Sequence, residues 1–323
     1  MVKKASKFLM ALLLTVSMAT SAQAGPAMIQ ICGATSGGTY FLLSNAIAQM
    51  LNTRLPETFL ASAQSTAGTP VILRLLETGE AEFGFGQAGI AKNALDGVGG
   101  FEQKFTNISS VTYVFPNVMQ VIVCREANIK TFADLRGQSF AVGASGSATE
   151  MNSRDMAQIY GMGYLDPATR DFTPQFTSEA QSVELMQNRQ AIGANMISGL
   201  GSATAVELMS SGRFEFLEFS EESVAALMAI NPAYFPFVIP ANMFPNQPEP
   251  VHTFAVANFI FARKDLPEDM VYAFVRAIYE YVDDIIMVHH VASSITPENA
   301  VNGLTVPLHP GAERFFREIG AIE

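Results

Sequence analysis

Three loops of the sequence place glycine beside serine and threonine directly before a predicted helix. They are Ala34–Tyr40, Gln64–Thr69 and Gly143–Thr149. Glycine lets a ligand approach the backbone closely, hydroxyl groups both donate and accept hydrogen bonds, and free N–H groups at a helix start bind anions. One such loop by itself is better explained as a capped helix entry. Three in series, two in the first half of the chain and one in the second, favour a shared cage for a small anion.

A polar side chain also follows a predicted strand at 81–85, because Gln87 lies where ligands collect at the carboxyl ends of strands in α/β sheets. The surrounding residues Gly84–Gly89 match the pattern G-x-G-x-x-G. In a dinucleotide site this pattern follows a strand and opens a helix. Here a predicted helix precedes it and its first glycines lie within the strand, so no nicotinamide cofactor is expected.

Catalytic and metal-site patterns are weak in this sequence. Gly143–Ser147 places its glycines out of step with the G-x-S-x-G nucleophile motif, and all four histidines lie at or beyond His252. Neither H-E-x-x-H nor paired C-x-x-C occurs. We therefore expect no catalytic residues, no metal and no cofactor. For Cys32 and Cys124, two free thiols are favoured over a disulfide, which the sequence leaves open.

The elements that must position these residues alternate between strands and helices, which predicts a layered α/β fold. Predicted strands are 28–33, 81–85, 118–124, 139–142, 191–197, 214–219 and 251–261; predicted helices are 40–51, 69–79, 183–187, 267–290 and 310–319. Ser147 and Glu150 form a capping-box pattern that opens one further helix. Six prolines between 231 and 250 predict an extended connector. Similar element order in the two halves predicts two lobes built alike.

The first 24 residues have the pattern of a secretory signal peptide, with three lysines, an apolar stretch at 8–16 and the cleavage site Ala22-Gln23-Ala24. Cleavage after Ala24 leaves 16 basic and 30 acidic side chains, a net charge of −14. Such a balance argues against nucleic acid as a partner, because phosphate binding requires clustered lysine and arginine. No later apolar run predicts stable membrane insertion.

The same residues resemble the TAXI family, the periplasmic receptors of one branch of TRAP transporters, from about Ile29 to Arg317. The resemblance is strongest at Gly33–Tyr40, at Ser65–Gln87, and from Ile295 through Arg314. It implies a two-lobed periplasmic-binding-protein type II fold with a mixed sheet flanked by helices in each lobe and a hinge between them. Lobe I would comprise 25–118 and 252–323, and lobe II 119–251.

The resemblance also implies a function: capture of glutamate, 2-oxoglutarate or a related acid in the periplasm and delivery to the membrane subunits of a TRAP transporter. The implied ligand-binding residues are Gly38, Thr39, Tyr40, Ser65, Thr66, Gln87, Ser145, Gly146, Ser147, Ser198 and Gly199. Tyr40 would offer its hydroxyl to a carboxylate. No arginine lies within the three loops, so N–H and hydroxyl donors, or Arg125, Arg154 or Arg189 from elsewhere, would hold the anion. A sensor subunit, and an enzyme on the same scaffold, are the alternatives.

Overall fold

The computed structural model describes residues 25–323, and the predicted signal peptide, 1–24, lies outside them. The strands are β1 Ala27–Gly33, β2 Phe59–Ser65, β3 Phe83–Gln87, β4 Ile108–Cys124, β5 Ser139–Ala141, β6 Thr173–Gln175, β7 Gly193–Ser198, β8 Phe214–Phe216, β9 Tyr234–Ile239 and β10 Val251–Arg263. The helices are α1 Thr39–Arg54, α2 Thr69–Thr78, α3 Ala88–Asp96, α4 Ala148–Ile159, α5 Glu179–Gln187, α6 Ala203–Ser210, α7 Glu221–Ile230, α8 Glu268–Glu280, α9 Val282–Ile286 and α10 Pro310–Glu318. Within this part of the chain, no helix has both the length and the apolar character needed to cross a bilayer.

All strands belong to one mixed sheet with the order β2-β1-β3-β10-β4-β7-β5-β6, while β8 pairs with β4 and β9 with β10. Two strands are unusually long, β4 with 17 residues and β10 with 13. They run antiparallel from Arg263 opposite Ile108 to Ala255 opposite Val118. Beyond that point β4 continues beside β7, and β10 beside β9. Both lobes of this α/β fold therefore share β4 and β10, which cross the hinge between them.

Four buried apolar clusters lie in the described residues, two for each end of the sheet. The clusters around β1 and β3 take their buried residues from 29–115 and 257–316, with Ala148 as the one exception. The clusters around β5 and β7 take theirs from 118–256. At the end of the sheet that contains β1 and β3, Phe83 of β3 stacks on Phe274 of α8 with ring centroids 3.7 Å apart. Helices thus cover both faces of each end, as the alternating order of elements predicts.

The packing of β3 allows no side chain at Gly84, because an added Cβ would lie 2.2 Å from Cγ2 of the buried Ile72. We expect Gly84→Ala to lower the free energy of unfolding by about 1–3 kcal/mol through overpacking. Gly163→Ala is the control, since nothing lies within 4 Å of the corresponding Cβ. Urea denaturation of residues 25–323 measures both, and equal midpoints would contradict this account of β3.

Three of the predicted elements differ from the structure. The helix predicted at 267–290 is two helices, because Tyr281 leaves helical geometry with φ −117° and ψ 29°. The proline-rich connector contains a strand, β9, in which Pro236 lies opposite Phe254 of β10. β9 is an edge strand with one neighbour, where a missing N–H is tolerated. The strand predicted at 81–85 lies two residues later. Cys32 and Cys124 are free thiols, which is the alternative that the sequence favours, although Cys124 is only partly buried.

Candidate ligand-binding site

Four helices from both ends of the sheet begin around one cavity. Its lining includes the first residues of α1 and α2 from one end, and of α4 and α5 from the other. The first N–H groups of a helix have no partner within the helix, and the helix dipole places partial positive charge there. The cavity is about 60 Å³, measured as space for the centre of a water molecule. A space of this size holds several waters and therefore a small ligand.

On the first wall, Gly38 is the N-cap of α1 in an extended conformation, so the N–H groups of Thr39 and Tyr40 begin the helix. The buried Thr39 hydroxyl has no partner within the protein. The Tyr40 hydroxyl does have one, since it donates to Oδ1 of Asn258 in β10. Burial raises the pKa of Tyr40 far above its usual value, so this hydroxyl stays protonated. The backbone of Tyr40 thus faces the cavity, while its side-chain hydroxyl is already bonded to Asn258 of β10.

Gln87, at the carboxyl end of β3, links the two walls. Its backbone N–H donates to the Thr69 hydroxyl at 3.3 Å, and its Nε2 donates to Oδ1 of Asn152 in α4 at 3.0 Å. Gln87 is 2% exposed, and Asn152 is fully buried. Gln87 is the last residue of β3, and its side-chain amide contacts the opposite wall.

On the second wall, the Ser147 hydroxyl caps α4 by accepting from the Glu150 N–H at 3.1 Å. Its own proton can therefore point into the cavity. The predicted capping box is only half formed, because the Glu150 carboxylate accepts from Arg154 and from the Tyr164 hydroxyl rather than from Ser147. Behind this helix start, Ser198 of β7 accepts a hydrogen bond from Gln120 at 3.0 Å.

The start of α5 contributes the one charged group among the cavity's lining residues, the carboxylate of Glu179. It accepts a hydrogen bond from the Thr204 hydroxyl at 3.1 Å. Burial raises the pKa of Glu179 to about 7, and the bond from Thr204 opposes that rise only in part. Ser178 caps the helix in a complete capping box with Gln181.

The chain matches the model of the NMT1-like family over residues 31–320. It belongs to the NMT1-like family. Among solved structures, a protein from Bordetella bronchiseptica RB50 superimposes on this NMT1-like chain with a TM-score of 0.53 at 16% identity, over 92% of this chain and 90% of that one.

Two proteins named for sulfonate binding are also similar to this chain. The alkanesulfonate-binding protein SsuA from Xanthomonas axonopodis pv. citri gives a TM-score of 0.48 at 15% identity, over 91% of this chain and 84% of its own. The aliphatic sulphonate-binding protein SsuA from Escherichia coli gives 0.46 at 13%, with the same coverage. At these identities the likeness concerns the fold alone.

Of the residues implied as ligand contacts in this NMT1-like chain, Gly38, Thr39, Tyr40, Gln87, Ser147 and Ser198 line the cavity. The other five lie outside its lining. The Ser65 hydroxyl donates to the carbonyl of Ala34 at 3.0 Å, and the Thr66 hydroxyl donates to that of Gly33 at 2.8 Å, so both tie neighbouring loops together.

The three remaining residues are glycines and a serine at two loops. Ser145 and Gly146 form an exposed loop tip. Gly199 is packed under Val291, whose Cγ2 would lie 2.6 Å from an added Cβ.

Sequence reasoning missed Asn117, Asn195 and the segment Thr177–Glu179, all of which line the cavity. The spacing Ser178 to Gln181 is a capping-box signal that could have located the start of α5. The three arginines considered as anion partners are absent from the lining. Arg125 and Arg154 instead pair with Glu215 and Glu150, respectively.

Proposed function

We propose that this NMT1-like chain is a periplasmic solute receptor that encloses a small carboxylate between two lobes and delivers it to a TRAP-type membrane transporter. Glutamate, 2-oxoglutarate and related acids are the proposed ligands. The observation that carries the proposal is the convergence of four helix starts from both ends of the sheet on one small cavity. The resemblance of Gly33–Tyr40, Ser65–Gln87 and the C-terminal segment to the TAXI family supports the TRAP partner.

The proposed lobes are 25–118 with 252–323, and 119–251. Two observations support these boundaries. The pairing between β4 and β10 ends at Val118 and Ala255, and the buried clusters divide near the same residues. A ligand that contacts both lobes stabilises the closed arrangement by its differential affinity, which is the behaviour expected of hinge closure.

A carboxylate suits this cavity because the starts of α1 and α4 offer N–H groups at Thr39, Tyr40, Ala148 and Thr149. These donors lie on opposite walls, so one carboxylate group could bridge them. Hydroxyls of Thr39 and Ser147 add side-chain donors. With no arginine or lysine in the lining, fixed backbone dipoles supply the positive potential.

A thermal-shift screen of residues 25–323 tests the ligand class. The panel contains dicarboxylates, 2-oxo acids, acidic and neutral amino acids, sugars and nicotinamide dinucleotides. A ligand at about 100 times its dissociation constant should add roughly 2.7 kcal/mol to the free energy of unfolding. We expect a rise in melting temperature with small acids. A rise confined to sugars or dinucleotides would contradict the proposal. Ligand uptake by proteoliposomes containing TRAP membrane subunits, with and without this chain, tests delivery.

Removing one donor from each wall should weaken binding without unfolding the protein. For Thr39→Ala combined with Ser147→Ala we expect at least a tenfold loss of affinity, because a hydrogen bond to a charged group contributes about 1.5–3 kcal/mol. Titration calorimetry with the ligand found by the screen measures this, and far-UV circular dichroism monitors the fold. Ser147 also caps a helix, so the matched control is Ser220→Ala, which removes the equivalent cap of α7 away from the cavity. Unchanged affinity in the double variant would remove both residues from the site.

A further inference from the structure

The cavity contains a negatively charged side chain, which would repel a ligand whose polar groups are all anionic. Glu179 is the charged side chain in its lining, and within residues 25–323 no lysine, arginine or histidine lies within 4.0 Å of that carboxylate. Its one side-chain partner is the Thr204 hydroxyl. Glu179 is partly buried. A carboxylate withdrawn from water without a cation is costly, and a cationic group on the ligand would offset that cost.

A second observation points the same way, since the cavity holds buried acceptors that have no donor. Asn195 is 2% exposed and lines the cavity, and its Oδ1 has no partner within the protein. The orientation of this amide is fixed by its other end, because Nδ2 donates to the Ser153 hydroxyl at 2.8 Å and to the Thr149 carbonyl at 3.3 Å. A carbonyl can only accept, so the NH₂ group must face it.

Asn117 of β4 is a second buried amide in the lining, and its Nδ2 donates to the Tyr40 hydroxyl at 3.5 Å. It is 4% exposed, lines the cavity, and its Oδ1 also lacks a partner. A buried acceptor without a donor destabilises the protein until a ligand or water supplies one. A carboxylate cannot satisfy it because a carboxylate has no proton to donate, whereas an ammonium group donates three.

We propose that Glu179 and Asn195 form an ammonium subsite, so that the ligand is a zwitterionic α-amino acid rather than an oxo acid or a dicarboxylate. Its α-carboxylate lies on the N–H groups at the starts of α1 and α4, and its ammonium group donates to the Glu179 carboxylate and to Oδ1 of Asn195. This inference rests on the proposed function and narrows its ligand class. Glu179 then acts as the residue that selects for the amino group.

The competing arrangement is a dianion bound beside a protonated Glu179, and pH separates the two. Burial raises the pKa of Glu179 to about 7. Ammonium binding requires its ionised form, so amino-acid affinity should rise between pH 6 and pH 8, whereas dianion affinity would fall. The other carboxylates on α5 and on the adjacent α6, Glu184 and Glu207, are exposed, and β7 carries no titratable side chain. Tyr40, across the cavity, stays protonated throughout this range.

The experiment compares matched acids that differ only at the amino group: L-glutamate with 2-oxoglutarate, and L-alanine with pyruvate. Titration calorimetry of residues 25–323 at pH 6 and pH 8 gives each affinity. We expect the binding pair to show at least a tenfold preference for the amino acid at pH 8. In Glu179→Gln that affinity should fall at least tenfold and the preference should disappear. Glu184→Gln, an exposed carboxylate on the same helix, should change either value less than twofold.

The outcomes distinguish the two levels of the proposal. If no amino acid, oxo acid or dicarboxylate binds, the proposed function itself fails. If the oxo acid of a pair binds as tightly as its amino acid, or if Glu179→Gln retains the wild-type preference, the ammonium subsite fails while the receptor function stands. The wild-type comparison requires no variant, so the inference remains testable even if Glu179→Gln does not fold.

Discussion

Arg154→Ala is expected to lower the free energy of unfolding by about 3 kcal/mol, although nearly half of that side chain is exposed. Its partner Glu150 is fully buried and receives two guanidinium hydrogen bonds, one of them from Nε at 2.7 Å. The hydrogen bonds to Glu150 raise the pKa of Arg154, so the guanidinium remains positively charged beside the carboxylate. Without the guanidinium, the carboxylate keeps only the Tyr164 hydroxyl at 2.9 Å. Removing one partner of a buried pair typically costs about 3–5 kcal/mol.

Arg317→Ala is the matched control for this prediction. Arg317 also pairs with a glutamate one helical turn away, Glu313, but both side chains are exposed. An exposed pair of this kind contributes about 0.3–0.5 kcal/mol. Urea denaturation of the unliganded protein compares the variants. Adding Glu150→Gln to Arg154→Ala should recover part of the loss by removing the unpaired charge. Equal midpoints for Arg154→Ala and Arg317→Ala would show that burial of Glu150 does not make the pair important.

Asn152→Ala is expected to weaken ligand binding about tenfold although Asn152 does not line the cavity. Its Oδ1 accepts from Gln87 across the two lobes, and its Nδ2 donates to the Tyr234 hydroxyl, which donates to Asp155 at 2.7 Å. In an open arrangement water can satisfy the Gln87 amide. In the closed arrangement the variant would leave it buried and unpaired, at a cost of about 1–3 kcal/mol. The population of the closed form, and with it the apparent affinity, should fall.

Calorimetry measures that affinity, and small-angle X-ray scattering with ligand present should give a larger radius of gyration than for the wild type. Ser110→Ala serves as the control. Ser110 is also buried and donates to the Val306 carbonyl at 2.9 Å, but both residues lie in one proposed lobe. It should lower stability without changing affinity. If Asn152→Ala does the same, the bond to Gln87 contributes to stability alone and not to closure.

The sequence predicted the alternation of strands and helices because many of these elements are encoded locally. It missed β2, β6, β9, α3, α6 and α7. The α2 helix illustrates local encoding, since Thr69-Pro70 begins it and Gly79 ends it in the left-handed conformation with φ 80°. The break between α8 and α9 was not predictable, because the apolar pattern continues through Tyr281.

The site was predicted in part for the same reason. Loops rich in glycine, serine and threonine can be recognised from the sequence. Gly38, Thr39 and Ser147 were therefore proposed as ligand contacts, and they line the cavity. Asn195 lies within the short strand β7, whose sequence predicts only a buried strand, and Glu179 begins a helix as solvent-exposed acidic residues often do. Their importance depends on packing that brings α5 and β7 to the cavity. The Tyr40 hydroxyl shows the converse, because a plausible ligand donor faces Asn258, which is 218 residues away.

The two long strands shared by the lobes also determine when the protein can complete its fold. β3 is paired with β1 and β10, and Gln87 of β3 lies opposite Asn258 of β10. A chain synthesised only as far as β4 therefore has β3 as an open sheet edge, since β10 separates β3 from β4. Such an edge is a template for wrong pairing, and its correct partner arrives only after the whole second lobe. The lobe that begins the chain is the one whose sheet closes last.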